Sequence, residues 1–397
     1  ASQSITIPAL AATLISQGIP NLLVDQGSGI WLLKASIMVD TTAQLAATNA
    51  TITWLRLESP PIHAINITAK RGGHLLIDGI KVTSWDSTLN AVDENITNGR
   101  AYLLALEGGR MDILHSEVAY LGWESGEASG LSWRKRLTFA DPTTGATGRL
   151  EDSQIHHNYF GMYSYEAYGL TILRNEVYEN LEYGIDPHDD SRGFEVAYNH
   201  VHHNGNHGII FSRLCRDNVI HNNEVHDNAL HGIMLDRGSN NNVIRDNVVY
   251  NNKDGIALFH SSDNLIQNNY VHHNARGMRI NATFDTDDIY DGVSGNNQIV
   301  GNRIEDSSEH GIYLYARADR NSFTGNQILR SGVTGVYIKS GGNRLENNII
   351  RDGATGVTIS GGEYLNDPPQ AIDPLDPPGN NNVVISTTIT ANSGVGI

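Results

Sequence analysis

The sequence is poor in cysteine and in basic residues, and it has no long apolar run. Cys215 is its single cysteine among 397 residues, which excludes an internal disulfide and a thiolate metal cluster. No apolar stretch reaches the roughly 18 residues of a membrane span, and none has the form of a signal-peptide core. The sequence begins at Ala1 without Met. We therefore expect a processed or trimmed export product with no membrane partner.

The shortage of basic residues limits the binding partners. Lys and Arg number 27 against 44 Asp and Glu, for a net charge of −17. A nucleic-acid partner is not expected, because duplex binding requires a basic footprint. The same charge would repel an acidic polysaccharide at long range. If the substrate is acidic, its cationic contacts must be concentrated in one groove. We expect the protein to be a monomer.

What the sequence does contain is a repeat of 22 to 24 residues, interrupted once by a step of 33. An apolar residue flanked by Asn, Ser or Gly returns at Ile155, Val177, Val201, Val225, Val249, Val271, Ile304, Ile328 and Ile350. Six or seven residues after each of them comes a glycine before an apolar position, from Gly161 to Gly356. A third short apolar run completes each unit.

Three short strands per unit cannot bury their inner faces alone, so successive units must stack. The pattern predicts an all-β fold, a right-handed parallel β-helix, with asparagine ladders at the corners of its coils. We expect one continuous domain in three parts: residues 1–110 with the N-terminal strands and first coils, residues 111–360 with the catalytic coils, and residues 361–397 with a Pro-rich loop and the last strands. Insertions at residues 134–148 and 281–295 are expected to line the binding face.

The repeat separates structural from functional histidines, because a residue that recurs at one position of the coil is more often structural. The pairs His156-His157, His202-His203 and His272-His273 recur at one corner and are interpreted as turn residues. His207, His231 and His310 precede the strand glycine, where a structural and a functional role are equally supported.

His188 occurs at none of these positions. It belongs to residues 183–189 (YGIDPHD), where an Asp-Pro-His-Asp run replaces the apolar continuation of a strand. Pro lacks a ladder donor and fixes φ, so the strand should end there with Asp186 and His188 projecting to a common side. The alternative is an ordinary Asp-Pro turn with a surface histidine.

Polar and aromatic residues recur four or five positions after the strand glycines of the following coils. They are Ser212, Arg213, Asp236, Arg237, His260, Asn281, Tyr315 and Lys339, with Tyr163 and Tyr165 upstream. Because stacked coils are about 4.8 Å apart, we expect a ladder beside His188 along which a linear sugar chain could lie. Arg213, Arg237, Arg279 and Lys339 would make this groove locally positive. The alternative is solvated charge on a solenoid face.

The motif and the ladder resemble the periplasmic mannuronan C5-epimerases of alginate-producing bacteria. The matching segments are residues 183–189, 207–213 (HGIIFSR), 232–237 (GIMLDR) and 254–259 (DGIALF), within a similarity over roughly residues 20–350. Asp190, Gly193 and Asn206 stand where the family usually has basic residues. The resemblance implies a polysaccharide C5-epimerase that converts β-D-mannuronate to α-L-guluronate in an alginate-like polyuronate.

The resemblance also implies roles for individual residues. His188 is the candidate base, Arg213 neutralises the uronate carboxylate, and Tyr183 is a proton donor or base on the other ring face. Arg213 would stabilise the enolate-like charge that follows proton removal, and Asp186 or Asp189 would hold the tautomer of His188. The substrate-binding candidates are Asp189, Arg237, Tyr165, His260, Arg279 and Lys339.

The intermediate left by proton abstraction has two fates. Protonation of the opposite face inverts C5, whereas loss of the C4 oxygen cleaves the chain, so a polyuronate lyase would use the same residues. A non-catalytic glycan-binding β-helix is a third interpretation. No cofactor is expected to be required and no metal ligand is assigned. Asp285, Asp287 and Asp288 offer oxygen ligands for Ca²⁺, but an exposed acidic loop is the simpler interpretation.

Overall fold

The computed structural model describes residues 3–59, 64–97, 99–125, 128–135, 145–282, 292–360 and 380–396. Contacts divide the chain into two compact units, Ala1–Gly205 and Asn206–Ile397. The domain boundaries predicted at residues 110 and 360 remain a proposal. No helix within the described ranges is long and apolar enough to cross a membrane.

The first unit is built from short strands. In chain order they are β1 (Gln3–Thr6), β2 (Leu23–Asp25), β3 (Ile30–Leu33), β4 (Ile37–Asp40), β5 (Ala43–Thr48), β6 (Trp54–Glu58), β7 (Asn66–Lys70), β8 (His74–Asp78), β9 (Lys81–Asp86), β10 (Ala91–Val92), β11 (Tyr102–Leu106), β12 (Arg110–Leu114), β13 (Glu117–Ala119), β14 (Gly130–Arg134), β15 (Thr147–Glu151), β16 (Gln154–His156), β17 (Phe160–Tyr165), β18 (Thr171–Leu173), β19 (Glu176–Tyr178), β20 (Ile185–His188), β21 (Glu195–Ala197) and β22 (His200–His202).

These strands form three mainly parallel sheets among the described residues. The β1 sheet has the order β1-β5-β8-β12-β15-β18-β21. The β2 sheet has the order β2-β3-β6-β9-β13-β16-β19-β22, with β10 beside β9, and the β4 sheet has the order β4-β7-β11-β14-β17-β20. The pairs β2–β3 and β9–β10 are antiparallel. One strand of each sheet therefore makes one coil.

The second unit follows the same plan. Its strands are β23 (Ile209–Ser212), β24 (Val219–His221), β25 (Glu224–His226), β26 (His231–Asp236), β27 (Val243–Arg245), β28 (Val248–Tyr250), β29 (Asp254–Phe259), β30 (Leu265–Gln267), β31 (Tyr270–His272), β32 (Arg276–Asn281), β33 (Gln298–Val300), β34 (Arg303–Glu305), β35 (His310–Leu314), β36 (Ser322–Thr324), β37 (Gln327–Leu329), β38 (Thr334–Ile338), β39 (Arg344–Glu346), β40 (Ile349–Arg351), β41 (Thr355–Ile359), β42 (Val383–Ile385) and β43 (Thr388–Thr390). Within the unit every third strand belongs to the same parallel sheet.

The core of each unit consists of the repeated apolar residues. Every predicted apolar centre is the middle residue of a three-residue strand and is at most 1% exposed. In the first unit Ile155, Val177 and Val201 are paired in register, and the remaining centres are paired in the same way in the second unit. The prediction of a right-handed parallel β-helix is confirmed.

Asparagine ladders connect successive coils, as the sequence predicts. In the second unit the backbone N–H of each Asn donates to Oδ1 of the next in the series Asn218, Asn242, Asn264, Asn297, Asn321, Asn343 and Asn382. A parallel series contains Asn223, Asn247, Asn269, Asn302, Asn326 and Asn348. These buried amides have hydrogen-bond partners, so they stabilise the corners without an unpaired polar group.

The repeat does not predict the one helix described at the start of the first unit, α1 (Ile7–Ser16). Thr6 caps it by accepting from the N–H of Ala9 at 3.4 Å, and Pro8 suits its first turn. Ile7 and Ala11 are buried against β1, β2 and β5. The helix therefore covers apolar residues of the first strands, a position in which repeat proteins need a cap.

Candidate active site

The Asp-Pro-His-Asp run lies on β20 of the β4 sheet. Asp186 and His188 are alternate residues of this strand, and alternate residues of a strand project to one face. Asp186 is buried, whereas His188 is partly exposed. The strand ends at His188 because Asp189 and Asp190 both adopt left-handed backbone conformations, with φ of 41° and 51°. The turn leaves the imidazole at the edge of the sheet.

Asp189 is a carboxylate that contacts the imidazole of His188. Its Oδ2 forms a short hydrogen bond with Nδ1 of His188. An ionised carboxylate only accepts, so this contact favours the tautomer that carries its proton on Nδ1. Below the ring, Ser191 Oγ donates to the carbonyl oxygen of His188 at 2.8 Å and lies 2.8 Å from Ser164 Oγ. The turn and its side chains hold the histidine in one orientation.

The neighbouring strands surround His188 with aromatic and cationic groups. Register places Arg134, Tyr165 and His188 in one column across β14, β17 and β20. The Tyr163 ring stacks against His188 with centroids 5.8 Å apart. The guanidinium of Arg134 lies 5.0 Å from the Tyr163 ring and 5.7 Å from the Tyr165 ring. The predicted binding residue Tyr165 thus belongs to the His188 column.

Tyr163 is a neutral phenol beside the candidate base. Burial, followed by the negative charge of Asp186, raises its pKa well above the usual range. Tyr183 belongs to the same aromatic surface, because it stacks on Phe160 at 5.3 Å and Phe160 lies 5.7 Å from Tyr163. Tyr163 lies one coil back from His188 and Arg134 lies two coils back. Counting coils back from His188 in the sequence could therefore have found both.

In the second unit three candidate residues follow the ends of adjacent strands. Arg213, Arg237 and His260 come directly after β23, β26 and β29, and all have left-handed φ values, of 65°, 51° and 48°. Arg213 N–H donates to the carbonyl of Asp236, and Arg237 N–H donates to that of Phe259, both at 3.0 Å. The three side chains therefore leave the coil at the same corner, one coil apart.

The remaining predicted positions form a second, adjacent column rather than the same ladder. Ser212, Asp236, Phe259 and Asn281 are paired across their strands. Tyr315 and Lys339 continue this column through backbone hydrogen bonds to the preceding strands. The Nζ of Lys339 lies 5.0 Å from the Tyr315 ring. Offsets of four and five residues from the strand glycine therefore correspond to two columns, which the sequence pattern had combined into one.

Arg279 lies on the same sheet, next to a buried ionic network that sequence reasoning did not identify. Asp254 is fully buried and lies 3.0 Å from Nδ1 of His231. Arg276 bonds to Asp254 and, at 2.8 Å, to Glu309. Burial would raise the pKa of Asp254, but the contacts with His231 and Arg276 outweigh burial and lower it.

The sequence signal for this network is the residue before the strand glycine. It varies from coil to coil as His207, His231, Asp254, Arg276 and His310.

Cationic groups on this face have nearby carboxylates. Arg237 Nε is 3.7 Å from Asp236, and an Nη of Arg279 is 3.7 Å from Asp254. A locally positive groove stays a prediction. His188 belongs to the first unit and Arg213 to the second, and their convergence also stays a prediction. Asp285, Asp287 and Asp288, the residues proposed for Ca²⁺, lie outside the described residues.

Mannuronan C5-epimerases are among the curated proteins that are similar to part of this chain. A mannuronan C5-epimerase of Pseudomonas fluorescens is 33% identical over 184 residues, which are 44% of this chain and 33% of the relative. The mannuronan C5-epimerase AlgG of Azotobacter vinelandii is 36% identical over 151 residues, which are 34% of this chain and 28% of the relative. The chain thus spans about a third of the length of the curated relatives it matches. The predicted resemblance to mannuronan C5-epimerases is confirmed.

Solved structures agree on the fold. The crystal structure of the periplasmic alginate epimerase AlgG has a TM-score of 0.74 at 23% identity, covering 97% of this chain and 83% of that chain. The A-module of a mannuronan C-5 epimerase of Azotobacter vinelandii has a TM-score of 0.58 at 16% identity, covering 96% and 94%.

A protein-family model covers most of the repeat. It matches residues 138–292 and again residues 238–370, which together are more than half of the chain. Overlapping matches of one model are typical of a sequence with internal repeats. The model is described as Periplasmic copper-binding protein (NosD). The chain therefore belongs to the family of periplasmic copper-binding proteins of the NosD type.

Proposed function

We propose that the chain is a polysaccharide C5-epimerase that converts β-D-mannuronate to α-L-guluronate residues in an alginate-like polyuronate, and that it acts in the periplasm or outside the cell. The observation that carries the proposal is the geometry of His188, whose Nδ1 is hydrogen-bonded to Asp189 while Tyr163 stacks on its ring. The names of the relatives, mannuronan C5-epimerases, support the same reaction and the same substrate class.

His188 is the base in this proposal. The hydrogen bond to Asp189 leaves Nε2 as the atom that takes the C5 proton, and it stabilises the imidazolium that forms. General-base catalysis of this kind contributes about 10²–10⁴ in rate. Asp189 is a positioning residue in this proposal, the second of the two roles that the sequence suggested for it.

Arg213 pairs with the uronate carboxylate in this mechanism. Negative charge on those oxygens grows as C5 loses its proton, and a planar guanidinium can form two parallel hydrogen bonds to them. Arg237, His260, Arg279, Lys339 and Tyr165 are proposed to bind neighbouring sugars of the acidic chain.

Inversion also requires a proton donor on the opposite ring face. Tyr183 is the donor implied by the resemblance, and Tyr163 is the second candidate because its phenol stays neutral and its ring contacts His188. Removal of the donor while His188 remains should leave proton abstraction intact. Tyr183→Phe and Tyr163→Phe therefore separate abstraction from reprotonation when exchange and epimerisation are measured together.

The test is incubation of the full chain with polymannuronate in D₂O, followed by ¹H NMR. An epimerase yields guluronate signals with deuterium at C5. A polyuronate lyase instead yields chain cleavage and an unsaturated sugar that absorbs ultraviolet light, and a glycan-binding protein yields neither. Either of the last two outcomes overturns the proposal. Parallel reactions on other uronans identify the polymer.

A further inference from the structure

A second group of chemically reactive side chains lies on the β2 sheet of the first unit. Glu176 of β19 is paired with His200 of β22, and His202 lies two residues further on the same strand. One donor atom from each of the three side chains lies within 4.8 Å of the other two. Nε2 of His202 is 3.5 Å from a carboxylate oxygen of Glu176. All three residues are half-buried.

These distances fit a small metal ion. Imidazole nitrogens and carboxylate oxygens bind a tetrahedral ion at about 2.0–2.2 Å, which separates neighbouring donors by about 3.3 Å. The contact between His202 and Glu176 is already close to that value. The widest separation must shorten by at most about 1.5 Å, which side-chain rotation can supply. Two imidazoles with one carboxylate suit Cu²⁺ or Zn²⁺, whereas Ca²⁺ takes six to eight oxygen ligands.

The surroundings of His202 orient it as a ligand. Its ring stacks on Tyr178 with centroids 5.3 Å apart and an interplanar angle of 11°. Its Nδ1 lies 2.9 Å from Nδ1 of His203, and its Nε2 faces Glu176. Metal-binding histidines use one ring nitrogen for the ion and the other for such a hydrogen bond. Val177 and Val201, both fully buried, fix the two strands beneath.

We propose that Glu176, His200 and His202 bind one divalent transition-metal ion, with Cu²⁺ bound more tightly than Zn²⁺ and water completing its coordination. Nitrogen and oxygen sites favour Cu²⁺ over Zn²⁺. The site is on the β2 sheet, whereas His188 is on the β4 sheet. The proposed metal ligands are therefore separate from the residues proposed for epimerisation.

The test uses the full chain after treatment with EDTA. Titration with CuCl₂ followed by calorimetry should give one ion per chain, and the electron paramagnetic resonance spectrum should show coupling to imidazole nitrogen. His200→Gln, His202→Gln and Glu176→Gln should each weaken binding at least tenfold. The matched control is His115→Gln, because His115 is an exposed histidine 2.9 Å from the carboxylate of Asp78, and its binding should be unchanged.

Two results would overturn the proposal. One is a wild-type spectrum without nitrogen coupling, which needs no variant and is unaffected by folding defects. The other is full copper binding by the double variant His200→Gln/His202→Gln. Affinity should also fall in acid, because a protonated imidazole cannot bind the ion. Deuterium exchange at C5 by the EDTA-treated chain reports on the epimerase proposal separately.

Discussion

Two faces of the first unit carry histidine and tyrosine side chains but use them differently. On the β2 sheet, His156, Tyr178 and His202 occupy one position of successive coils and stack at 4.8 and 5.3 Å. On the β4 sheet the column that contains His188 holds Arg134 and Tyr165 instead.

On the β2 face the same ring stacking recurs from coil to coil and stabilises the fold. On the β4 face the side chains at one position differ from coil to coil. Changes of that kind place different chemical groups side by side, which catalysis requires and stacking does not. The metal site proposed on the β2 face combines residues of two columns. His202 belongs to the repeated column, and Glu176 and His200 belong to the neighbouring column, which is more variable.

The largest expected effect is on C5 exchange, when a histidine of the β4 face is replaced and compared with a histidine of the β2 face. His188→Asn should lower C5 exchange into D₂O at least about 10²-fold, because the amide cannot act as the base, while binding of the polymer survives. The matched control is His156→Asn on the β2 face, which should leave exchange within about twofold. Exchange above a tenth of the wild-type rate in His188→Asn would remove His188 as the base.

A smaller loss of activity is expected when Arg213, which is proposed to pair with the uronate carboxylate of the substrate, is replaced. Arg213→Lys keeps the positive charge but loses the planar two-point pairing, so kcat should fall by about 10² even with saturating polymer. Steady-state kinetics on polymannuronate measure this. A kcat equal to wild type with a raised KM would show that Arg213 binds the substrate without acting on the developing charge.

Arg237 allows the matched comparison one coil further along. Its backbone conformation is the same as that of Arg213, but its side chain is proposed to hold a neighbouring sugar. Arg237→Ala should raise KM by about tenfold and change kcat by less than about threefold, and the KM of wild type should rise with salt because exposed ion pairs are screened. A KM that does not depend on ionic strength contradicts an ionic groove.

The sequence predicted the fold well because the repeat makes each coil depend on its neighbours in the same way. Ile155, Val177 and Val201 could be aligned by spacing alone, and they are the buried centres of paired strands. The Asn ladders followed from the same spacing. Helix α1 could not be predicted from the repeat, because it occurs once and its evidence is a local cap at Thr6 and Pro8.

The candidate site could be predicted only in part, for a physical reason. Departure from the repeat identified His188, yet spacing does not determine which neighbours touch it. Tyr163 contacts His188 through parallel strand pairing across 25 residues, and Asp254 is held by His231 and Arg276 from two other strands. The pairing register, which depends on all three strands of a coil, decides such contacts.

Stacked histidines should also affect stability, and His207 in the second unit provides the measurement. Its ring is parallel to that of His231 at 4.7 Å, and burial, together with the nearby His231, lowers the pKa of His207 to about 3. The unfolded chain takes up a proton near pH 6.5, but the folded chain does so only near pH 3. The stabilisation is therefore complete above about pH 6.5 and decreases as the pH falls towards 3.

Between pH 7 and pH 5 this one group should reduce the free energy of unfolding by about 2 kcal/mol, at 1.36 kcal/mol for each pKa unit. Urea denaturation at both pH values measures the loss. In His207→Gln the loss should be smaller by that amount, because glutamine does not titrate. Other titrating groups cancel in the comparison. Equal losses in wild type and His207→Gln would show that His207 is protonated in the folded chain at pH 5, and that burial in this stack does not keep it neutral.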